Sequence, residues 1–154
     1  MFTKTEIELA KPTYEAIKKI ARAKGKKWEW EPEAGDWCID ENNIMLIAEV
    51  DYITDDPENW YQIANGSYNW CTGSMYVIPL LHWEKLEKIM EKFGYKMYVK
   101  FETIGGNHYQ CGIRNGTAVL VLEIGKTRQE AVMRAIIKLG EEIDDCPDRT
   151  CQKF

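Results

Sequence analysis

Cysteine, histidine and carboxylate side chains are the usual raw material of a catalytic or metal site, and here their spacing argues against one. Cys146-x₄-Cys151 has no second pair at zinc-ligand spacing, and His82 and His108 stand alone. Neither a zinc-finger pattern nor the H-x-E with P-C-x-x-C of a zinc deaminase is present. No metal and no cofactor is therefore expected. A nucleophile would need a base beside it, but there is no G-x-S-x-G, and pairing Cys38 or Cys71 with His108 has no motif behind it. Gly105-Gly106 lacks the context of a phosphate-binding loop and reads as a turn. The turn from Lys126 to Arg128, at a helix start, is one place where an anion could sit. No residue set converges on a mechanism, so no catalytic residues and a non-enzymatic protein are expected.

Charge is distributed more informatively. Between Lys27 and Lys85 there is no lysine or arginine, while twelve acidic residues and all six tryptophans lie inside that stretch. Residues 1 to 27 carry eight bases against three acids. Such a segment suits a cationic partner, with indole rings as anchors and carboxylates as steering charge. Asp51, Asp55, Asp56, Glu58, Trp60, Tyr61, Tyr68 and Trp70 are the candidate partner-binding residues, and the expected partner is a basic surface on a host protein. Two alternatives stay open. The tryptophans could fill the core while the acids solubilise their strands. Or Trp60-Tyr61 and Tyr68-Asn-Trp-Cys71, with Asn65, Ser67, Asn69 and Thr72, could line a pocket that sequesters a nucleotide-like signal.

The elements that must position these residues follow from periodicity. Ala118 to Ile124 is an unbroken aliphatic run and reads as a central strand buried on both faces. Thr127 with Glu130 forms a capping box, and Ala131, Val132, Ala135, Ile136 and Leu139 give the following helix one apolar face to about Ile143. Earlier, Pro12 opens a helix carrying Tyr14, Ile17, Ile20 and Ala21 that Gly25 stops. A short strand and turn are expected between Trp28 and Asp40, and Ile44 to Val50 is a clear strand entered through a hairpin turn at 41–43. Residues 51 to 75 show turn formers and aromatics, so they form either a functional loop or elements hidden from pattern reading. Tyr76-Val-Ile78 leads to Pro79 and a helix with Leu81, Leu86, Ile89, Met90 and Phe93 as its apolar positions. Strands from Tyr95 to Ile104 and from His108 to Ile113 come next, and Asn115-Gly116 is a hairpin signal leading into the aliphatic run.

The class expected is α+β, a meandering antiparallel sheet with packed helices in the order α-β-β-(loop)-α-β-β-β-α. At 154 residues and 45% hydrophobic the chain suits a single domain over residues 1–143, with a polar tail over 144–154. A net charge of −5 gives the whole molecule no electrostatic footprint for nucleic acid. No apolar run approaches the roughly 18 residues of a membrane span, no signal-peptide pattern opens the chain, and the odd cysteine count fits free thiols. A cytoplasmic protein without direct nucleic-acid or membrane binding is expected.

Two families resemble the C-terminal half. The helix entry from Pro79 to Phe93, the strand start at Gly94-Tyr95 and the Thr127-x-x-x-Ala131-x-x-x-Ala135 helix resemble small phage and prophage proteins with an α-β-α sandwich domain, over residues 76–142. That resemblance implies a bacteriophage or mobile-element accessory protein in a bacterial host, a class in which many members counter host defences. Residues 82 to 142, with Gly106-Asn-His108 at the first hairpin, also look like a double-stranded-RNA-binding domain. That family's second helix opens with a phosphate-gripping lysine cluster, whereas Thr127-Arg-Gln-Glu-Ala131 offers one arginine and an acid, which implies poor RNA affinity.

Overall fold

Thr3 opens the first helix of the computed structural model, which describes residues 2–40, 43–52, 59–64, 68–72 and 77–144. Its hydroxyl accepts the Glu6 N–H at 3.1 Å, and the Glu6 carboxylate accepts the Thr3 N–H at 3.3 Å and its hydroxyl at 2.8 Å. This capping box starts helix α1 at Lys4, eight residues before the Pro12 start that the sequence suggested; α1 spans Lys4–Ala23. Pro12 lies inside the helix, where its ring nitrogen cannot donate to the preceding turn. The next residue, Thr13, donates its hydroxyl to the Leu9 carbonyl at 2.7 Å.

Five strands follow: β1 (Trp37–Asp40), β2 (Asn43–Tyr52), β3 (Asn59–Ala64), β4 (Tyr68–Thr72) and β5 (Val77–Leu80). They form one antiparallel sheet in the order β4-β3-β2-β1-β5. Then come α2 (Trp83–Lys92), β6 (Lys96–Glu102), β7 (His108–Asn115), β8 (Ala118–Gly125) and α3 (Arg128–Asp144), with the three strands paired antiparallel as β6-β7-β8. The class is α+β, and the order agrees broadly with expectation. The stretch from 51 to 75 is where it differs, since its described part holds the end of β2 together with β3 and β4. One domain was expected over residues 1–143; the chain divides into two compact units, Trp30–His82 and the remainder. Of the expected tail, Asp144 ends α3 and 145–154 lie outside the described residues.

In the larger unit α3 packs on the three-stranded sheet. Cys111, Ile113 and Val121 on the sheet and Ala131, Val132, Ala135, Ile136 and Leu139 on the helix are all buried. A Cβ at Gly125 would lie 2.5 Å from the Ala131 nitrogen, so only glycine lets the strand end this close to the helix start. The β7–β8 hairpin closes on the pair Asn115 and Ala118, which makes Gly116-Thr117 the two turn residues. Gly116 takes the positive φ of 63° that this turn demands.

All three helix N-termini gather at one end of this unit. Thr127 caps α3 by accepting the Glu130 N–H at 3.0 Å, and it donates its hydroxyl to the Glu6 carboxylate at 3.3 Å. Glu130, expected to reach back to the cap, instead meets Arg134 Nε at 2.9 Å. Farther along, a Cβ at Gly140 would lie 2.9 Å from the Ala16 Cβ, so α1 and α3 run parallel in close contact. The first backbone N–H of α2, on Trp83, donates to Gln129 Oε1 at 2.7 Å. At the opposite end Lys26 Nζ donates to the Lys92 carbonyl at 3.2 Å, which joins the finishing ends of α1 and α2. Like poles of three macrodipoles therefore meet, an arrangement that costs about 0.3–1 kcal/mol per exposed pole unless negative charge offsets it. Glu6, Glu84 and Glu130 supply that charge from the three first turns.

The sequence placed Ala118 to Ile124 at the centre of a sheet, buried on both faces. It lies at a sheet edge as β8, with Val119, Leu122 and Ile124 49%, 51% and 53% exposed. Helices cover one face of this sheet only, so an aliphatic strand meets solvent on the other.

The shared Glu6 carboxylate yields the first prediction. Glu6→Ala should lower unfolding free energy by about 2 kcal/mol and Thr127→Ala by about 1 kcal/mol. The double variant should lose less than their sum, because both remove the same bond. Urea denaturation of the four proteins measures this, and strict additivity would mean the two caps are independent.

Candidate functional site

The lysine-free, tryptophan-rich stretch makes up the smaller unit. Residues 30–82 hold ten of the 25 acidic residues and none of the 20 lysines and arginines, so this unit carries −10 and the rest of the chain +5. No internal cation offsets those carboxylates.

A turn and a small core anchor the unit. Asp36 Oδ2 accepts both the Trp30 Nε1–H at 3.0 Å and the Glu33 N–H at 3.1 Å, which fastens the chain before β1. The Gly35 N–H donates to the Ile47 carbonyl and the Ile47 N–H to the Asp36 carbonyl, each at 2.8 Å, so β2 is held just short of its bulge. Trp30 and Val77 pack on the buried cluster of Cys38, Met45 and Ile47.

Strand register then sorts the candidate residues. Asp51 pairs with Trp60 and Trp60 with Thr72, while Glu49 pairs with Gln62 and Gln62 with Trp70. Directly paired residues share a face, as do alternate residues of one strand. Positions 49, 51, 60, 62, 70 and 72 therefore form one patch of positions on a single face of β2, β3 and β4. Tyr68 pairs with Ala64 and belongs to the same face. Tyr61, paired with Val50 and Cys71, belongs to the opposite face. Asp55, Asp56 and Glu58 lie outside the described residues. The patch adds Glu49, Gln62 and Thr72 to the residues expected from sequence. The alternation in Trp60-Tyr-Gln and Tyr68-Asn-Trp-Cys-Thr72 carries that signal, but only pairing shows which residues meet.

The bulge between Ile47 and Glu49 helps to make the patch acidic. One extra residue in β2 reverses which residues face each way beyond it. Ile47 therefore remains with the buried cluster while Glu49 and Asp51 share the face of Trp60 and Trp70.

The other four tryptophans are half-buried. Trp28 meets Tyr14 edge-on at 5.6 Å, Trp30 lies on the small core, Trp37 is half-buried in β1, and the Trp83 ring carries the Arg128 guanidinium at 4.5 Å. Trp30 thus packs against a buried cluster, while Trp37, paired with Leu46 and through it with Ala64, lies on the same face of the sheet as Trp60 and Trp70.

Cys38, His82 and His108, weighed for catalysis and metal binding, lie elsewhere among the described residues. Cys38 and Cys111 are fully buried thiols, and burial pushes the Cys111 thiol up to about 12. A thiol held protonated is a poor nucleophile. His108, at the start of β7, pairs with Glu102 of β6. Cys146 and Cys151 lie outside the described residues, and among the described ones no three His, Cys, Asp or Glu residues could together hold a metal ion. At the start of α3, where an anion was considered, Arg128 is engaged with Trp83 and Gln129 with the α2 N-terminus. Two recesses beside α3, of about 150 and 190 Å³, are smaller than ligand pockets of roughly 300 Å³ and above. No described helix is long and apolar enough to cross a membrane.

Compared with family models, curated proteins and solved structures, the chain matches none.

Burial of Cys111 gives a pH-dependent outcome. Its pKa is raised on folding, so its contribution is fully present below the unfolded value near 9 and is lost as pH rises toward 12. Between those limits the slope from this group is about −1.4 kcal/mol per pH unit, and the buried Tyr95 phenol, also pushed up, adds to it at the upper end. Urea midpoints of the wild type should fall faster from pH 8.5 to 10.5 than those of Cys111→Ala. Parallel curves would show that the thiol ionises freely in the folded protein.

Proposed function

We propose that this chain is a non-enzymatic binding protein whose acidic unit occupies a basic surface of a partner protein, with Trp60 and Trp70 as anchors and Glu49 and Asp51 as charge. The observation that carries the reading is the register of β2, β3 and β4, which sets these four residues side by side in a unit of charge −10. Indoles supply large contact area at low entropic cost, and neighbouring carboxylates raise the encounter rate with a cationic surface. A groove that binds nucleic acid is the kind of basic surface this patch complements, because it too joins cations with flat apolar faces.

The biological setting rests on the resemblance of residues 76–142 to phage and prophage α-β-α sandwich proteins. Under that resemblance the chain is a phage-type accessory protein in the cytoplasm of a bacterial host. Its partner is a nucleic-acid-targeting defence protein, and its effect is inhibition by occupying the groove. Placement of Trp60 and Trp70 on adjacent paired strands favours a flat protein contact over an enclosing pocket for a small signal molecule.

The test is capture from bacterial lysate at low and high salt, followed by affinity measurement on whatever is enriched. Binding should weaken as salt rises. Glu49→Lys with Asp51→Lys should cost at least tenfold in affinity, and Trp60→Ala with Trp70→Ala roughly thirtyfold, as for a central aromatic anchor. Full affinity in both double variants, each with an unchanged melting temperature, would exclude this surface.

A further inference from the structure

The strand β8 has the sequence of an interior strand and the position of an edge strand. Among its eight residues, Ala118–Gly125, there is no lysine, arginine or proline. Its one charged residue, Glu123, shares a recess with Arg134 and Lys138 of α3 rather than guarding the outer face. Three of the five exposed large hydrophobic residues of the described chain, Val119, Leu122 and Ile124, lie on it.

The other edge of the same sheet is built differently. On β6, Lys96, Lys100 and Glu102 alternate along the outer face, and Lys100 pairs with Glu102 at 2.9 Å. Charged side chains of this sort are how edge strands are kept from pairing with other chains. Between the two edges, β7 presents Gln110 and Gly112, with the Tyr98 ring lying over Gly112 and the Arg114 guanidinium 4.6 Å from that ring. The outer face thus grades from charged on β6, through polar and aromatic on β7, to aliphatic on β8.

We propose that β8 pairs antiparallel with β8 of a second copy, joining two three-stranded sheets into one of six strands. A two-fold contact requires a surface that complements itself, and β8 does so: aliphatic residues meet aliphatic residues and no like charges are opposed on the outer face. The same pairing through β6, centred on Tyr98 or Lys100, would set lysine against lysine. With β8 at the dyad, the cations of β6 lie farthest from it, which reproduces the apolar centre and polar rim of protein interfaces. Pairing also completes the backbone hydrogen bonding of the edge and extends the apolar outer stripe across both copies, the environment for which the run Ala118 to Ile124 is composed. The pairing strand belongs to the larger unit and uses none of the residues of the partner binding proposed above, so the two can be tested separately.

Sedimentation of the full chain alone over a range of concentrations tests the idea. A reversible monomer–dimer equilibrium in the micromolar range is expected, with no larger species. Leu122→Lys with Ile124→Lys should weaken it at least a hundredfold while leaving the melting temperature of the monomer within a few degrees, since both side chains are half-exposed. Lys100→Glu on the opposite edge should leave it unchanged. Hydrogen exchange of the wild type adds a readout that needs no variant: β8 amides should gain protection as concentration rises, and β6 amides should not. A monomer at every concentration, a dimer that survives the β8 lysines, or β8 exchange indifferent to concentration would each overturn the proposal.

Discussion

One carboxylate holds the larger unit in register. Glu6, 4% exposed, accepts from the backbone and hydroxyl of Thr3 in its own capping box and from the hydroxyl of Thr127 at the start of α3. Three parallel helices with their N-termini together would otherwise concentrate partial positive charge and unsatisfied N–H groups at one end. The carboxylate answers both problems, and in doing so sets α1 beside α3 from the first turn up to the close approach of Ala16 and Gly140. Gln129 extends the arrangement by capping α2 from within α3. The three-stranded sheet is then covered on one face, and β8 is left with the other.

The second organising feature is how charge is divided. The chain leaves the larger unit after Glu29, builds an antiparallel sheet without a single lysine or arginine, and returns at Trp83. Mutual repulsion of ten carboxylates opposes folding of so small a sheet. Solubility alone would be served by interspersed charges of both signs; the proposed contact with a basic surface is one use for acids clustered against that cost.

Legibility in the sequence followed the range of the interactions. The helices α2 and α3, the strands β6 to β8 and their hairpin rest on signals spanning a few residues, and each was readable. The start of α1 is written in Thr3-x-x-Glu6, but Pro12 offers a competing first-turn signal farther along the same helix. The strands β3 and β4 were hidden because their alternation mixes aromatic with polar residues between turn formers, so apolar periodicity gives no contrast. Two properties could not be read from any window. Whether an aliphatic strand is central or at an edge depends on what pairs with it, and Glu6 meets Thr127 across 121 positions of sequence. In the candidate site, the acids and indoles were identifiable by composition, yet the grouping of Glu49 and Asp51 with Trp60 and Trp70, and the exclusion of Tyr61, depend on the bulge after Ile47.

The N-termini of α1 and α3 form one cooperative structure through Glu6. Amide hydrogen exchange at Glu6 and Glu130, whose N–H groups donate to Thr3 and Thr127 respectively, measures this directly. Both amides should open with the same free energy, close to that of global unfolding. Exchange at Glu6 a hundredfold or more faster than at Glu130, a difference of about 2.7 kcal/mol, would mean that α1 frays by itself and that the shared carboxylate does not hold the unit together.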